Sequence, residues 1–299
     1  MKLQRKIKSA YTSWKVAAIF LLPFMAFYSL FTLYPLLKGV VMSLYKGRFG
    51  TPQTFCGLSN YILMFQDKYF WGALGNTLWF VVVSTPIVVA FGLIFALVAN
   101  SGHRFSGLVK VAAFLPYVLS ISVISKVWVY IFKPYTGLLN NVMISLHLTD
   151  KQTMWFDTPF LAWTTIIVAT LWWTVGFNTI LFLSGLQEIP TSLYEASALD
   201  GAGKWQQFTH ITVPSLKGVT IMIVLLQIIS SFKLFGQPWL MTGGGPGRAT
   251  RPLVQYIYQT GFNNWDSGYA SAMSYALLVI MILVSFLYNK IFYRREERQ

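Results

Sequence analysis

The stretch that decides the fold is 158-TPFLAWTTIIVATLWWTVGFNTILFLSGLQ-187, in which 30 consecutive residues include no Asp, Glu, Lys or Arg. A helix that crosses the hydrocarbon core of a bilayer needs about 20 apolar residues, so this stretch is long enough to span it. The whole chain agrees, because 55% of its 299 residues are hydrophobic and only 11% are charged. Soluble globular domains have about 25% charged residues, so the composition excludes an ordinary soluble enzyme and a disordered protein.

Five further runs with few or no charges predict additional spans on both sides of this stretch. They are residues 16–37, residues 69–103 (most apolar at 78–99), residues 111–132 with the single Lys126, residues 218–232, and residues 267–289. The run from Gly218 meets Lys233 after 15 uncharged residues, so that span either continues through 235–240 or is shorter than the others. We predict an all-α, polytopic membrane protein with six transmembrane helices in a single domain, residues 1–299.

The distribution of Lys and Arg predicts the orientation of these spans. If the N-terminus is inside, the inner segments hold 13 basic residues in 67 positions and the outer loops hold 9 in 98 positions. Cytoplasmic loops retain positive charge, so both termini are expected in the cytoplasm. The first apolar run is too long for a cleaved signal peptide and is expected to remain as a helix. The net charge of +14 then indicates contact with anionic membrane lipid, and no nucleic-acid partner is expected.

The sequence contains no catalytic or metal-binding motif. The three histidines lie on separate loops, and the single Cys56 excludes an intramolecular disulfide and a cysteine cluster. The segment from Gly201 to Lys204 lacks the spacing of a nucleotide-binding loop. All nine acids fall outside the predicted spans, whereas ion-coupled carriers usually place a carboxylate within the membrane. We expect no catalytic residue and no metal site, and an energy source outside the chain.

The predicted cytoplasmic loop, residues 187–217, has internal structure. The spacing of Ser192 and Glu195 matches a capping box, in which each side chain accepts a hydrogen bond from the backbone amide of the other residue at the start of a helix. Gly201 supplies the left-handed residue that ends such a helix. Two aromatic side chains share a face of the following segment: Trp205 and Phe208. An exposed apolar face on this loop predicts a docking surface for another protein.

Residues 195–214, EASALDGAGKWQQFTHITVP, resemble the EAA loop of ABC importer permeases. That motif has EAA, three residues, Gly, nine residues, Ile, one residue and Leu-Pro, and every fixed spacing is met. Ser197 and Val213 are conservative departures, and Gly218 stands where many relatives have a second Pro. The resemblance implies that the loop is a coupling helix that inserts into a groove of an ATPase subunit. The residues assigned to this role are Glu195, Ala196, Ser197, Asp200, Gly201, Trp205, Phe208, Ile211 and Pro214.

The resemblance covers nearly the whole chain and is specific to the carbohydrate-uptake branch, to which the maltose permease is related. Six segments match in the same order, at 57–61, 70–77, 114–116, 137–140, 241–246 and 268–272. The resemblance implies the type I permease fold and a multi-pass location in a bacterial or archaeal cell (inner) membrane. The implied partners are a second homologous permease in a heterodimer, two ATPase subunits that use ATP and Mg, an extracytoplasmic solute-binding protein and a sugar. No cofactor is expected on this chain itself.

A sugar presents hydroxyl groups and apolar ring faces, so its site needs hydrogen-bonding side chains beside aromatic rings. Trp173 and Phe177 share a face of the fourth predicted span, with Thr174 close by, and Gln227 and Ser231 share a face of the fifth. Alignment with the maltose permease puts these five residues on positions that line the sugar site of that permease, which implies that they line the sugar pathway here. The alternative is that the rings pack against lipid or other helices and that the hydroxyl groups bond their own helix.

Two lysines lie towards the outer ends of their predicted spans. Lys126 and Lys233 are expected to extend to the membrane surface, because a charge at the bilayer centre costs about 2.5 to 3.5 kcal/mol on insertion scales. A Lys233 that faces the cavity would instead favour an acidic sugar.

Two functions from different classes are consistent with these observations. The first is a permease subunit of an ATP-driven importer, for a sugar that is expected to be an oligosaccharide. The second is an ATPase-independent secondary carrier or channel for a small polar solute. An intramembrane enzyme has no catalytic constellation to support it.

Overall fold

The computed structural model describes residues 14–48, 51, 53–102 and 104–292. In chain order its α-helices are α1 (Trp14–Tyr28), α2 (Tyr34–Ser43), α3 (Ser59–Gln66), α4 (Lys68–Asn100), α5 (Ser106–Val118), α6 (Ile121–Ile131), α7 (Leu138–Ser145), α8 (Pro159–Gln187), α9 (Thr191–Leu199), α10 (Lys204–Gln207), α11 (Val213–Ser215), α12 (Lys217–Phe232), α13 (Gly236–Met241), α14 (Leu253–Tyr258) and α15 (Ser267–Phe292). Three π-helical turns lie at Ser29–Leu33, Phe208–Thr212 and Gln259–Asn263. Two short antiparallel strands, β1 (Tyr45–Lys46) and β2 (Thr54–Phe55), pair with each other.

Four helical segments of the described residues are long and apolar enough to cross a membrane. They are Ala18–Ser43, Lys68–Asn100, Pro159–Gln187 and Ser267–Phe292. Two bent pairs also qualify when each is taken together: α5 with α6, bent by 105°, and Lys204–Ser215 with α12, bent by 63°. The structure therefore provides four spans, or six if each bent pair is one span. The predicted polytopic, all-α class is confirmed.

The third predicted span, residues 111–132, is not one continuous helix. The chain is extended at Leu119 and Ser120, between α5 and α6. Ser120 Oγ accepts a hydrogen bond from Val123 N at 3.4 Å and so caps the second helix. Hydropathy does not detect such a cap, so the apolar run at 111–132 gave no sign of the break.

The fifth span takes the shorter of its two predicted forms. Helix α12 ends at Phe232, Lys233 is its C-cap residue, and α13 is a separate helix. Gly236, the first residue of α13, is buried, and a Cβ there would overlap the Ile121 side chain of α6. The glycine therefore permits the close packing of α13 on α6.

The fourth predicted span is found almost as predicted. Helix α8 begins one residue after Thr158, whose Oγ1 accepts a hydrogen bond from Leu161 N at 3.3 Å. The first and sixth spans extend beyond their predicted bounds, to Ser43 past Lys38 and to Phe292 past Lys290. Helix α4 begins at Lys68, one residue before its predicted start, and ends at Asn100, three residues before its predicted end. A terminal lysine reaches the membrane surface through its long side chain, so a charge does not end a spanning helix.

Backbone contacts divide the chain into two units. The first unit is residues 1–66 with 257–276, and the second is residues 67–256 with 277–299. Within the first unit, Asn60 Nδ2 donates to Ser43 O at 2.8 Å and to Tyr45 O at 3.0 Å. These bonds tie α3 to the end of α2 and to β1. The predicted single domain over residues 1–299 stays a prediction.

Helix α8 is central to the second unit and packs against α4, α5, α6, α12 and α13. Two glycines permit close crossings: a Cβ on Gly92 would lie 2.8 Å from Asn178 Cβ, and one on Gly176 would overlap the Ala113 carbonyl oxygen. Small residues at helix crossings are typical of membrane bundles. One apolar cluster joins α4, α8 and α12, and its buried members are Val89, Ala96, Ala99, Phe182, Leu183, Leu186, Ile189, Leu216 and Ile223.

Candidate functional site

A cavity of about 300 Å³ lies in the second unit, lined from α6, α8, α12 and α13. Its wall includes four of the five predicted pathway residues: Trp173, Thr174, Gln227 and Ser231. Phe177 does not line this cavity, and its ring instead stacks on Tyr117 of α5 with 5.3 Å between centroids. The fold therefore brings four of the predicted residues together and leaves the fifth one helical turn away.

The two predicted polar residues of α12 belong to a buried hydrogen-bond network. Gln227 and Ser231 are only 5% and 3% exposed, and Gln227 Nε2 donates to Ser231 Oγ at 3.2 Å. Asn178 Nδ2 of α8 donates to Gln227 Oε1 at 3.0 Å, and the Ser84 hydroxyl of α4 lies 3.3 Å from Ser231 Oγ. Unpaired polar groups are costly within a bilayer, so these bonds fix the relative positions of three helices. The sequence interpretation missed Asn178 and Ser84, because no local spacing relates them to α12.

The two polar groups of α8 in the wall are already hydrogen-bonded. Trp173 Nε1 donates to Leu119 O at 3.2 Å, at the break between α5 and α6. Thr174 Oγ1 donates to Thr170 O of its own helix at 2.8 Å, as the packing alternative expects. The indole ring of Trp173 nevertheless remains in the cavity wall.

The two lysines occupy different surroundings. Lys233 is exposed and lines the cavity together with Phe235 and Gln237. Lys126 is exposed on α6 and does not line it. The structure thus places Lys233 in the wall, which is the alternative to simple extension towards the membrane surface.

The capping box predicted at Ser192 and Glu195 is wrong. Helix α9 begins at Thr191, its N-cap residue is Pro190, and no side chain caps it. Because the helix starts before Ser192, that hydroxyl lies in the first turn and is not in the N-cap position. A comparable bond is formed at the next helix, α10, where Gly203 N donates to Gln206 Oε1 at 2.8 Å.

The predicted helix stop at Gly201 is confirmed. Its φ is +80°, in the left-handed region, and nothing lies within 4 Å of a Cβ built there. Ala202 N donates to Ser197 O at 2.9 Å and Gly201 N donates to Ala198 O at 3.1 Å. This is the Schellman pattern that closes a helix C-terminus. The glycine is needed for its backbone conformation and not for space.

Side-chain bonds hold α9 against the segment that follows it. Gln207 Nε2 donates to Tyr194 O at 3.1 Å and to Ser197 Oγ at 3.0 Å. The Tyr194 hydroxyl lies 2.9 Å from Thr212 Oγ1. The serine at the third position of the motif therefore has a specific role, since its hydroxyl accepts the Gln207 amide.

Several apolar side chains of the 187–217 loop are exposed. Leu199 is 90% exposed and Trp205 is 74% exposed, and the Trp205 and Phe208 rings lie 5.6 Å apart. The other exposed members of the predicted set are Glu195, Ala196, Asp200, Gly201 and Pro214. Ile211 is half-buried and packs against the apolar cluster of α4, α8 and α12. The loop thus has one face on the helical core and one apolar face towards solvent.

The segment between α13 and α14 is bonded to the start of α4. Asn76 Nδ2 donates to Arg248 O at 3.1 Å and to Arg251 O at 3.0 Å, and Leu253 N donates to Thr77 Oγ1 at 2.9 Å. Burial lowers the pKa of the Arg251 guanidinium from its ordinary value, and the Arg248 charge lowers it further. One segment that matches the family pattern, 70–77, is therefore bonded to residues 248–253, which closely follow another such segment, 241–246.

The described residues include no group of three or more His, Cys, Asp or Glu side chains that could hold a metal ion.

Comparison with known proteins gives a matching family and several relatives. Residues 88–297 match the family described as "Binding-protein-dependent transport system inner membrane component". The lactose transport system permease protein LacF of Rhizobium radiobacter is 36% identical over 285 residues, which covers 94% of each chain. The sulfoquinovosyl glycerol transport system permease protein SmoG of Agrobacterium fabrum is 32% identical and covers 92% of this chain and 90% of that relative.

A solved structure has the same fold. A chain of a bacterial ABC transporter involved in the import of the acidic polysaccharide alginate superimposes with a TM-score of 0.83 at 22% identity. The match covers 98% of this chain and 99% of that one. The chain therefore belongs to the family of binding-protein-dependent transport system inner membrane components. It is a multi-pass membrane permease and not an enzyme.

Proposed function

We propose that this chain is one of two permease subunits of an ATP-driven importer for a sugar, expected to be an oligosaccharide. The main support is the 195–214 motif, whose spacing matches ABC importer permeases and which folds with an exposed apolar face. LacF and SmoG are named as permeases for lactose and for sulfoquinovosyl glycerol, which supports a sugar as the solute of this chain.

The wall of the cavity forms this subunit's part of the translocation pathway. Trp173 offers a ring face in this wall, and Thr174, Gln227 and Ser231 lie beside it. Phe177 lies one helical turn further along α8, outside the cavity, and extends the pathway there. The second, homologous permease of the heterodimer supplies the remainder. An extracytoplasmic solute-binding protein delivers the sugar to the loops on the outer side.

The 187–217 loop is the coupling loop and contacts one of two ATPase subunits, which bind ATP and Mg. Tyr194 and Ile211 pack against the apolar cluster of α4, α8 and α12, so a displacement of the loop moves these helices with it. The bonds of Gln207 to α9 make the loop stiff enough to transmit such a displacement. Closure of the ATPases then alternates the pathway between outward-open and inward-open states.

The orientation follows from the same assignment. A loop that contacts ATPases is cytoplasmic, so the first span begins inside and both termini lie in the cytoplasm. This agrees with the higher density of basic residues in the inner segments.

The variant Glu195→Lys tests the coupling role. Glu195 is exposed, so the reversed charge should leave the fold intact while repelling its contact on the ATPase and abolishing uptake. Uptake and co-purification of the ATPases are measured on the complete importer in membranes. Glu188→Lys is the matched control, because Glu188 is exposed in the same loop but precedes the motif. Normal uptake by Glu195→Lys, or solute flux through this chain alone in liposomes, contradicts the proposal.

A further inference from the structure

Among the described residues, the cavity wall of the second unit has a single ionisable side chain, that of Lys233. The remaining wall is aromatic, amide, hydroxyl or apolar, and it includes the rings of Trp173 and Phe235 and the amide of Gln237. No Asp or Glu of the part of the chain that the structure describes lines this cavity. The wall therefore presents a positive charge to a solute without a protein carboxylate beside it.

The backbone fixes where this charge lies. Lys233 is the C-cap residue of α12, and its amide donates to Ser230 O at 3.1 Å. The chain then turns into α13, whose first residue packs on Ile121 of α6. A cation at a helix C-terminus interacts favourably with the helix dipole, which accounts for a lysine at this position. The dipole does not account for a lysine that lines a cavity.

The Lys233 side chain is exposed, so its ammonium group is open to a solute that enters the cavity, and opposite charges in contact attract each other even in water. The acids of the described residues are Asp67, Asp150, Asp157, Glu188, Glu195, Asp200 and Asp266, and all of them lie outside the cavity wall. An acidic group of a solute that enters the cavity therefore meets Lys233 with no described protein carboxylate in the same wall.

Resting on the proposed function, we propose that the transported sugar is anionic and that its acidic group pairs with Lys233. The ring faces of the sugar lie against Trp173 and Phe235, and its hydroxyl groups bond to Gln237. A carboxylate and a sulfonate both present oxygen atoms that accept hydrogen bonds from an ammonium group. Lys233 is thereby assigned as the residue that selects charge, and the rings select a saccharide.

The experiment uses the complete importer, with its binding protein and ATPases, reconstituted in liposomes. The probes are digalacturonate, a methyl 6-deoxy-6-sulfoglucoside and lactose, and ATP-dependent uptake is measured for each. The wild-type importer should take up an anionic probe, and which of the two it prefers distinguishes a carboxylate from a sulfonate. Lys233→Gln should raise the concentration for half-maximal uptake of that probe by about 10-fold, the loss expected for one charge-assisted bond. Lys233→Arg should retain uptake.

Lys126→Gln is the matched control, since Lys126 is an exposed lysine, in the middle of α6, that does not line the cavity. It should behave as the wild type with every probe. Equal losses for anionic probes and lactose in Lys233→Gln, or no loss at all, would show a structural role and overturn the inference. Wild-type uptake of lactose alone, or of none of the three probes, also overturns it. The permease assignment is judged separately, by the Glu195→Lys variant.

Discussion

The 187–217 loop and the cavity wall form their hydrogen bonds over different distances along the chain. In the loop, Gln207 bonds to Tyr194, 13 residues away, and to Ser197, 10 residues away. In the wall, Asn178 and Gln227 are 49 residues apart, and Ser84 and Ser231 are 147 residues apart. The motif spacing within 20 consecutive residues therefore identifies the loop. The hydrogen-bond network at the wall forms only when α4, α8 and α12 have packed together.

The two regions also differ in what they leave uncovered. The loop exposes the apolar side chains of Leu199 and Trp205, and the wall buries the polar side chains of Gln227 and Ser231. Exposed apolar groups indicate a protein partner, and polar groups buried at membrane depth indicate a pathway or a fixed helix contact. Apolar side chains exposed to water and polar side chains buried in a membrane are both unfavourable in themselves. Each region is therefore a candidate functional site.

Glycines in the two regions are needed for different reasons, and the glycine of α8 gives the largest expected effect on stability. Gly176 of α8 is needed for space, so Gly176→Ala should destabilise the protein by about 3 kcal/mol, because the added methyl overlaps the Ala113 backbone. Thermal unfolding in detergent measures the loss. Gly75→Ala is the control, since a Cβ there meets nothing within 4 Å and the change should leave stability equal or higher. Equal melting temperatures for the two variants would contradict the close crossing.

The buried network of the wall gives a smaller effect. Asn178→Leu leaves Gln227 Oε1 without its donor and should cost about 2 kcal/mol of unfolding free energy. Ser184→Ala, an exposed change on the same helix, should cost less than about 0.5 kcal/mol. The double variant Asn178→Leu with Gln227→Leu should lose less than the sum of the single changes. Additive losses would show that the two amides are not coupled.

The loop gives the smallest effect on stability. Gly201→Ala must adopt a φ of +80° and should cost about 1 kcal/mol, felt within the loop and barely in global unfolding. Because the turn positions α9 against α10, co-purification of the ATPases should fall more than thermal stability does. Gly203→Ala is the control, since its φ of −72° suits any residue. If Gly201→Ala and Gly203→Ala bind the ATPases equally well, the turn at Gly201 does not position the loop for this contact.

Much of the fold could be predicted because it depends on sums over neighbouring residues. Charge-free length located α4, α8 and α15 and the second half of the bent pair at α12. Fixed spacing located the 195–214 motif and its left-handed glycine. Fixed spacing gave a wrong prediction of a capping box at Ser192, because the N-cap residue of α9 is Pro190 and not the serine.

The sequence by itself determined the class of protein and the identity of the loop, since hydropathy and short-range spacing are properties of consecutive residues. Only the tertiary structure decided that α5 and α6 break at Leu119, that Trp173 bonds the carbonyl freed there, and that Lys233 faces a cavity. Each of these depends on which helices meet and at what angle. In a membrane that choice rests on close packing and on pairing of polar groups between helices, and neither is visible in the apolar pattern of any one helix.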